Sequence, residues 1–195
     1  NQGVDPCEAA NLPLGTPVQI QNAAQPGELA YSSWQAMQEV GESAGSAACT
    51  HNDFALVKLS PDDLANIHPA TIAFGGPTAL ASQLASEGEA VFVYGQSPFH
   101  FGVRELEAMN GSVIGIAPEG WAYDVLTDTP AISGDSGGPV LDSQGRALAV
   151  TSALSVSLSL TPVRNSVTNL ARALRYAKDN GFIHQDVQLM TWAEL

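Results

Sequence analysis

Positively charged side chains are scarce in this 195-residue chain. Lysine and arginine together number 7, against 20 aspartates and glutamates, and the formal net charge is −13. An acidic surface with so few basic groups repels phosphate backbones, so the composition excludes nucleic acid as a partner. Hydrophobic residues make up 45% of the chain, which is typical of a globular protein rather than a disordered one.

Long hydrophobic runs are missing as well. The longest weakly polar stretch, residues 147–163, is interrupted by serines, two threonines and a proline, and it alternates as strands do. We therefore expect no membrane partner. No secretory signal stands at Asn1, so we expect the chain to be a processed or truncated product. No period of 20–50 residues recurs, which excludes solenoids and propellers.

Cysteine occurs only at Cys7 and Cys49. Zinc would need more ligands at tighter spacing, so we expect no metal site. An even pair in an acidic, turn-rich chain favours a single disulfide and an oxidising, extracellular compartment. Two unrelated free thiols are the alternative. A disulfide across this loop would stabilise the fold by about 3–4 kcal/mol.

The most informative stretch is Gly134-Asp135-Ser136-Gly137-Gly138-Pro139. A serine framed by glycines on a tight turn can expose its hydroxyl, because glycine accepts unusual dihedral angles and leaves no side chain in the way. The same turn can aim two backbone N–H groups at one point. These six residues, with strand-like flanks, indicate a serine nucleophile with an oxyanion hole; a polar hairpin turn is the simpler interpretation.

The rest of the chain has strand patterns separated by glycine and proline. Apolar or alternating segments predict strands at residues 18–21, 28–31, 54–59, 90–95, 99–107, 111–117, 121–126, 140–141 and 147–152. One segment, about Val167 to Lys178, has the apolar spacing of an amphipathic helix. Asn165 or Ser166 can cap its start, and Asn180-Gly181 ends it. The pattern predicts an all-β chain with a C-terminal helix.

A second candidate for chemistry is Asp53, in the stretch Asn52-Asp53-Phe54-Ala55-Leu56-Val57-Lys58-Leu59. A serine hydroxyl is a poor nucleophile until a base takes its proton and a third group orients that base. A carboxylate at the mouth of a buried strand can be that third group. Taken alone, Asp53 is better explained as a residue that caps the turn before the strand.

Together the two stretches resemble the chymotrypsin-like serine peptidases, especially their secreted bacterial members. The Gly134–Pro139 stretch matches the family's nucleophile signature, and the stretch around Asp53 matches its acid-bearing strand. The resemblance implies Ser136 as the nucleophile, Asp53 as the orienting acid and the amides of Gly134 and Ser136 as the oxyanion hole. It implies no metal or organic cofactor and a polypeptide substrate.

The same resemblance implies where a substrate would bind. The implied contacts are Pro130, Ser133, Ser152, Ala153 and Leu154. In the family the strand serine that Ser152 matches supports the catalytic acid, and its backbone pairs with substrate. Pro130 stands where the family has the base of the specificity pocket, and its lack of charge favours small or apolar residues. Asp128 lies close enough for a shifted alignment to favour basic ones.

The departure from the family concerns its catalytic histidine, which lies upstream of the acid in an Ala-Ala-His-Cys-like stretch. The corresponding stretch here, Cys7-Glu8-Ala9-Ala10-Asn11, has no histidine, and none precedes His51. His51 is two residues from Asp53 and would point the same way on an extended chain, so it is a candidate for the missing base. A solvated loop histidine is the plainer interpretation of His51. We interpret His68, His100 and His184 as loop or surface residues.

Two explanations compete. In one, the histidine belongs to a segment before Asn1. A first barrel without that segment would keep a free strand edge and an exposed apolar face, and a separate polypeptide or a donated segment would have to cover them. In the other, the chain is a non-catalytic, protease-like scaffold that binds peptides, or an inactive fragment of a peptidase. We favour the first, and with it a serine endopeptidase.

Asp135 needs a cation, because the family buries this carboxylate in an ion pair that sets the oxyanion turn. Secreted bacterial members use an internal arginine, and Arg104 is the one arginine before Ser136. We therefore expect an Asp135–Arg104 pair, although a surface arginine beside Glu105 and Glu107 is the alternative.

The expected fold is two antiparallel six-stranded β-barrels. Residues 1–80 would form the first barrel, incomplete and carrying Asp53. Residues 81–164 would form the second, carrying Ser136, and residues 165–195 a C-terminal helix and tail.

Overall fold

The computed structural model describes residues 4–68, 70–155 and 163–192. Its strands are β1 (Pro17–Val18), β2 (Gly27–Ser32), β3 (Ala55–Lys58), β4 (Ala90–Tyr94), β5 (Ala108–Ile116), β6 (Ala122–Thr127), β7 (Pro139–Asp142), β8 (Ala147–Ser155) and β9 (Arg164–Asn169). Its α-helices are α1 (Ser33–Val40), α2 (Ala47–His51), α3 (Arg104–Glu107) and α4 (Leu170–Asp179), with 3-10 turns at Pro61–Asn66, Pro98–His100 and Pro118–Gly120. No helix in these ranges has the length and apolar character to cross a bilayer.

Six strands close into one antiparallel barrel, in the order β4-β5-β6-β9-β8-β7. Inward-facing side chains fill its interior because successive residues of a strand point to opposite faces. The core is made of apolar residues from every strand, chiefly Val91, Val93, Met109, Val113, Tyr123, Val125, Val140, Leu148 and Val167. Ser136 lies on the turn that leads into β7, so a packed barrel supports this turn.

The first sheet is smaller and open. β2 pairs antiparallel with β1 on one side and β3 on the other, and in the described part of the chain this sheet does not close. The β3 strand follows Asp53 directly. The prediction of an all-β fold with one complete six-stranded barrel, an incomplete first barrel and a C-terminal helix is confirmed.

The C-terminal helix starts three residues later than its pattern predicts. Val167 belongs to β9, where it pairs with Tyr123 of β6 and Thr151 of β8. Barrel closure requires this strand, so tertiary pairing overrides the local helical spacing. Residues 165–169 therefore belong to the barrel rather than to the C-terminal segment. The helix is capped by Asn169, whose side chain accepts from the Arg172 amide at 3.2 Å.

The strand predicted at residues 99–107 is wrong. This segment forms the 3-10 turn Pro98–His100 and then α3. His100 is buried at 2% exposure, whereas Phe99 and Phe101 are 60% and 84% exposed. The burial is the reverse of what hydrophobicity predicts, and the reason is a buried polar contact made by His100.

The predicted disulfide between Cys7 and Cys49 is formed. It joins the start of the chain to α2, the short helix that ends at His51. The first sheet also packs against α4, because Tyr31 and Phe54 share one apolar cluster with Leu170 and Leu174 of that helix. Asp53, between α2 and β3, is thus placed by both the disulfide-linked helix and this shared core.

Candidate active site

Ser136 is exposed on a tight turn, as the motif predicts. The turn before it, Ile132 to Asp135, is closed by the Asp135 amide, which donates to the Ile132 carbonyl at 3.0 Å. Gly134 has φ +102°, a left-handed value that favours glycine. In the described part of the chain, neither the Gly134 nor the Ser136 amide donates to another group. Both N–H groups therefore remain open to an incoming oxyanion.

Asp135 anchors this turn from below. Its carboxylate is fully buried and accepts from the amide of Ser97 at 2.8 Å, from that of Ile132 at 2.8 Å and from His100 Nε2 at 2.8 Å. Three donors on one carboxylate offset the cost of burying it. Gly95 makes room for it, because a Cβ on Gly95 would overlap the carboxylate, with even the Asp135 Cβ only 2.9 Å away.

The expected Asp135–Arg104 pair is not formed. Arg104 is exposed at the start of α3 and makes no ion pair with any described residue. His100 takes that place, so its interpretation as a loop or surface residue is wrong. The sequence hides this role, since His100 lies 35 residues from Asp135 in a segment with the alternation of a strand.

Asp53 precedes β3 of the first sheet, Ser136 lies on the turn before β7 of the barrel, and both line the same cavity. The cavity has a volume of about 290 Å³, and Phe54, Ala55, Gly137, Val150 and Thr151 complete its walls. The lining combines the Asp53 carboxylate and the Ser136 and Thr151 hydroxyls with the apolar side chains of Phe54, Ala55 and Val150. Among the described residues that line this cavity there is no histidine.

Burial raises the pKa of the Asp53 carboxyl above its usual 3.8. Part of the side chain reaches solvent, while protein atoms of the cavity wall shield the rest. In the described part of the chain no side-chain or backbone donor contacts the carboxylate, although the Asp53 amide donates to the His51 carbonyl at 3.1 Å. Among the described residues, Asp53 therefore has no cation and no hydrogen-bond donor as a partner.

This pKa shift makes a testable prediction about stability. Because the folded pKa lies above the unfolded one, the folded chain binds more protons between the two values, and stability falls as pH rises through that window. Asp53→Asn should therefore stabilise the fold at pH 7, by less than about 1 kcal/mol because solvent screens the exposed side. At pH 3 the gain should disappear. Thermal unfolding at the two pH values measures it.

Glu87→Gln is the control for this prediction, because it removes one negative charge from an exposed loop of the same acidic chain. It separates relief of general charge repulsion from relief at Asp53. An Asp53→Asn gain no larger than that of Glu87→Gln, or one that persists at pH 3, would contradict the assignment.

His51 is not among the residues that line the cavity. It ends α2, so the segment is helical there rather than extended, and the expectation that His51 and Asp53 point the same way is wrong. Burial lowers the pKa of His51, and the negative charge of Asp124 of β6 offsets part of this shift. The other histidines, His68 and His184, are exposed.

The residues expected to contact substrate are distributed around this turn. Pro130 is half-buried and Ser133 is exposed at the turn. Ser152 lies at an irregularity of the β8–β9 pairing, and its hydroxyl donates to the Ser166 carbonyl at 2.9 Å rather than to Asp53. Ala153 is exposed on the same strand. The side chain of Leu154 lies outside the described part of the chain.

Two further residues of the site have no signal in the sequence. Buried Asn165 of β9 accepts from the Ala131 amide at 2.9 Å and donates to the Ala131 carbonyl at 2.8 Å, which fixes the segment leading into the oxyanion turn. Ser97 contacts the turn from the other side, through its amide on Asp135 and its hydroxyl on the Ser133 carbonyl. Both contacts span more than 30 residues, so local pattern could not reveal them.

Comparison with known proteins identifies the family of the chain. The sequence profile of the trypsin-like peptidase domain matches residues 3–150, more than half of the chain, and the match includes both Asp53 and Ser136. No curated protein sequence matches the chain.

Among solved structures, the chain is similar to Cellulomonas bogoriensis chymotrypsin, with 19% identity over 77% of this chain and 72% of that one, at a TM-score of 0.48. It is also similar to Rv3671c from M. tuberculosis H37Rv in an inactive form, with 17% identity over 84% of this chain and 69% of that one, at a TM-score of 0.47. By the profile match, the chain belongs to the family of trypsin-like peptidase domains.

Proposed function

We propose that this chain hydrolyses peptide bonds as a serine endopeptidase, through an acyl-enzyme on Ser136. The observation that carries the proposal is the shared cavity: an exposed serine on the turn before β7 and a carboxylate just before β3 line one cavity of about 290 Å³. The family match and the open amides at the oxyanion turn support it.

Each group has a role that its surroundings favour. Ser136 attacks the substrate carbonyl while an imidazole in the cavity takes its proton, and the Asp53 carboxylate stabilises the imidazolium that results. The Gly134 and Ser136 amides bind the developing oxyanion. The protonated imidazole then gives its proton to the leaving amine. A water molecule, deprotonated by the imidazole, attacks the acyl-enzyme in the same way and frees the carboxylic acid and Ser136. A positive imidazolium beside Asp53 would also supply the partner that its shielded carboxylate lacks.

The imidazole comes from outside the described residues, on a segment that completes the first sheet. Two features support this. β3 pairs with β2 alone within the described ranges, so its other edge is open beside Asp53. An apolar groove of about 460 Å³ begins next to Ser136, at Gly137, and its walls include Phe74, Tyr94 and Leu141. A strand with an apolar face could pair with the edge, cover the groove and carry a histidine into the cavity.

The substrate we propose is a polypeptide with a small or apolar residue before the cleaved bond. Pro130 carries no charge that could pair with a basic side chain, and we propose contacts to Ser133, Ser152, Ala153 and Leu154 along the turn and β8. The disulfide is compatible with secretion, which we propose as the destination of the protein.

A second candidate is a peptide-binding scaffold without catalysis. It is favoured by one observation, that no histidine among the described residues lines the cavity between Asp53 and Ser136. Such a protein would hold a peptide along β8 and never form an acyl-enzyme. The same turn would then serve only as a rigid support for that strand.

A fluorophosphonate probe separates the two candidates, because it reacts covalently with an activated serine. We expect labelling of the protein isolated from its natural source, at Ser136, and no labelling of Ser136→Ala. Slower labelling of this chain by itself would indicate that the base is supplied by another segment. The endopeptidase proposal fails if the natural protein is not labelled; peptide binding in that case would support the scaffold.

A further inference from the structure

The peptide bond between Ser133 and Gly134 is held by a side chain from a distant loop. The Ser97 hydroxyl donates to the Ser133 carbonyl at 2.6 Å and accepts from the Phe99 amide at 3.2 Å. Ser97 is 3% exposed, so water does not compete for these bonds. Both its donor and its acceptor capacity are used, which fixes the direction of the hydroxyl.

This contact decides where the Gly134 N–H points. In a trans peptide the C=O and the following N–H point in opposite directions, and the described chain has no cis peptide bond. With the Ser133 carbonyl directed at Ser97, the Gly134 N–H is directed away from Ser97. That N–H is the proposed oxyanion donor.

The turn formed by residues 132–135 can adopt a second conformation that keeps its closing hydrogen bond. Ser133 and Gly134 are the two central residues of the turn closed by the Asp135 amide on the Ile132 carbonyl, and φ +102° at Gly134 places it near a type II turn. A type I turn keeps the same closing bond while its central peptide is rotated by about 180°. Rotation would turn the Gly134 N–H toward Ser97 and leave the oxyanion hole with one donor.

The groups around Asp135 do not prevent this rotation. His100 and the Ser97 amide contact the Asp135 carboxylate, and the Ile132 amide does the same; none of them touches the peptide between Ser133 and Gly134. The described contact to that peptide oxygen is the Ser97 hydroxyl. Pro98 Cδ and Ser97 Oγ also lie 3.0 and 3.1 Å from the place of a Cβ on Gly134, so the turn sits directly against this loop.

We infer that Ser97 is a positioning residue for oxyanion binding: its hydroxyl selects the turn state in which the Gly134 N–H can receive the oxyanion. The catalytic consequence rests on the proposed function, whereas the conformational one does not. Ser97 touches neither substrate nor Ser136 in this role and acts through the Ser133 carbonyl.

Ser97→Ala tests the inference with two readouts. First, the ¹⁵N–¹H signal of Gly134 should move or broaden, because its amide changes direction or exchanges between two states. Second, fluorophosphonate labelling of Ser136 in the natural protein should slow about tenfold or more, since loss of one oxyanion donor costs about 10²–10³ in rate. The loss should fall on the rate of acylation and leave the affinity for a peptide substrate nearly unchanged.

Two other variants make the result specific. Ser97→Thr keeps the hydroxyl and should restore both readouts. Thr16→Val is the control, because it removes a hydroxyl that also donates to a carbonyl at 2.6 Å, to Pro13, far along the chain from the turn. If Ser97→Ala fails to fold, Ser97→Cys replaces it, since a thiol fills the same place with a weak donor.

An unchanged Gly134 signal in a folded Ser97→Ala variant overturns the inference. Failure of Ser97→Thr to restore a signal lost in Ser97→Ala also contradicts it. Absence of labelling in the natural protein overturns the proposed function instead, and the Gly134 signal still decides the role of Ser97.

Discussion

Imidazole added to the purified chain should accelerate fluorophosphonate labelling of Ser136 by about a hundredfold, the lower end of what a positioned general base contributes. The cavity between Asp53 and Ser136 has a carboxylate, a hydroxyl and apolar walls, and an imidazole ring matches all three. One ring nitrogen would donate to Asp53 and the other would accept the Ser136 proton. Labelling rates measured against imidazole concentration should reach a plateau, because a single cavity becomes fully occupied at high concentration.

The acceleration should also follow the neutral form of the added base. Imidazole rings titrate at a pKa of roughly 6.5, so the effect should grow as pH rises through that value and then level off. The reaction also requires ionised Asp53; because burial raises the pKa of that carboxyl, loss of its charge at acid pH would add to the fall in rate. A pH series of labelling rates at fixed imidazole measures this.

Three controls define the site of action. Ser136→Ala should remove labelling altogether, and Asp53→Asn should remove most of the acceleration while it leaves the slow basal reaction. Pyrazole, a ring of the same size and much weaker basicity, should have little effect. Equal acceleration in wild type and Asp53→Asn would show that imidazole acts from solution, and the proposed role of the cavity would be wrong.

Gly95→Ala should cost about 3–5 kcal/mol of folding stability, the range for breaking a buried charged pair. The added methyl would occupy the place of the Asp135 carboxylate, which is fully buried against His100 and two amides. Asp135 would have to leave this position, and its three donors would lose their acceptor. Urea unfolding of the variant and of wild type measures the loss, and Ser136 labelling should fall with it.

Gly115→Ala is the matched control, because it adds the same methyl to a strand of the same barrel. There the new Cβ would make ordinary contacts with Asp124 at 3.7 Å, and the change in stability should stay within about 1 kcal/mol. A Gly95→Ala variant as stable as Gly115→Ala, with wild-type labelling, would show that Asp135 does not need its buried position to hold the oxyanion turn.

Interactions between neighbouring residues explain why the loop around Ser136 could be predicted from the sequence. The glycines around Ser136 encode the turn in their own dihedral freedom, and the disulfide follows from having two cysteines. The barrel strands carry their pattern in consecutive residues. Such features depend on neighbours within a few positions, which a sequence displays directly.

The partners of the turn depend on contacts that no local pattern contains. His100 was hidden because Phe99 and Phe101 give its segment the alternation of a strand, although both rings are exposed and the histidine between them is buried. The strand position of Val167 was hidden because the helical spacing of α4 extends back to this residue. In the structure Val167 pairs in the barrel as part of β9. In both cases a tertiary partner decides between local alternatives of similar energy.

The apolar cluster shared by Phe54, Tyr31 and the α4 leucines links the C-terminal helix to the spacing of Asp53 and Ser136. Phe54 follows Asp53 directly, and α4 extends from β9 of the barrel whose β7 follows the Ser136 turn. The helix therefore packs between the segment that carries Asp53 and the barrel that carries Ser136. A smaller side chain in this cluster would first change the distance between Asp53 and Ser136, while each sheet kept its own shape.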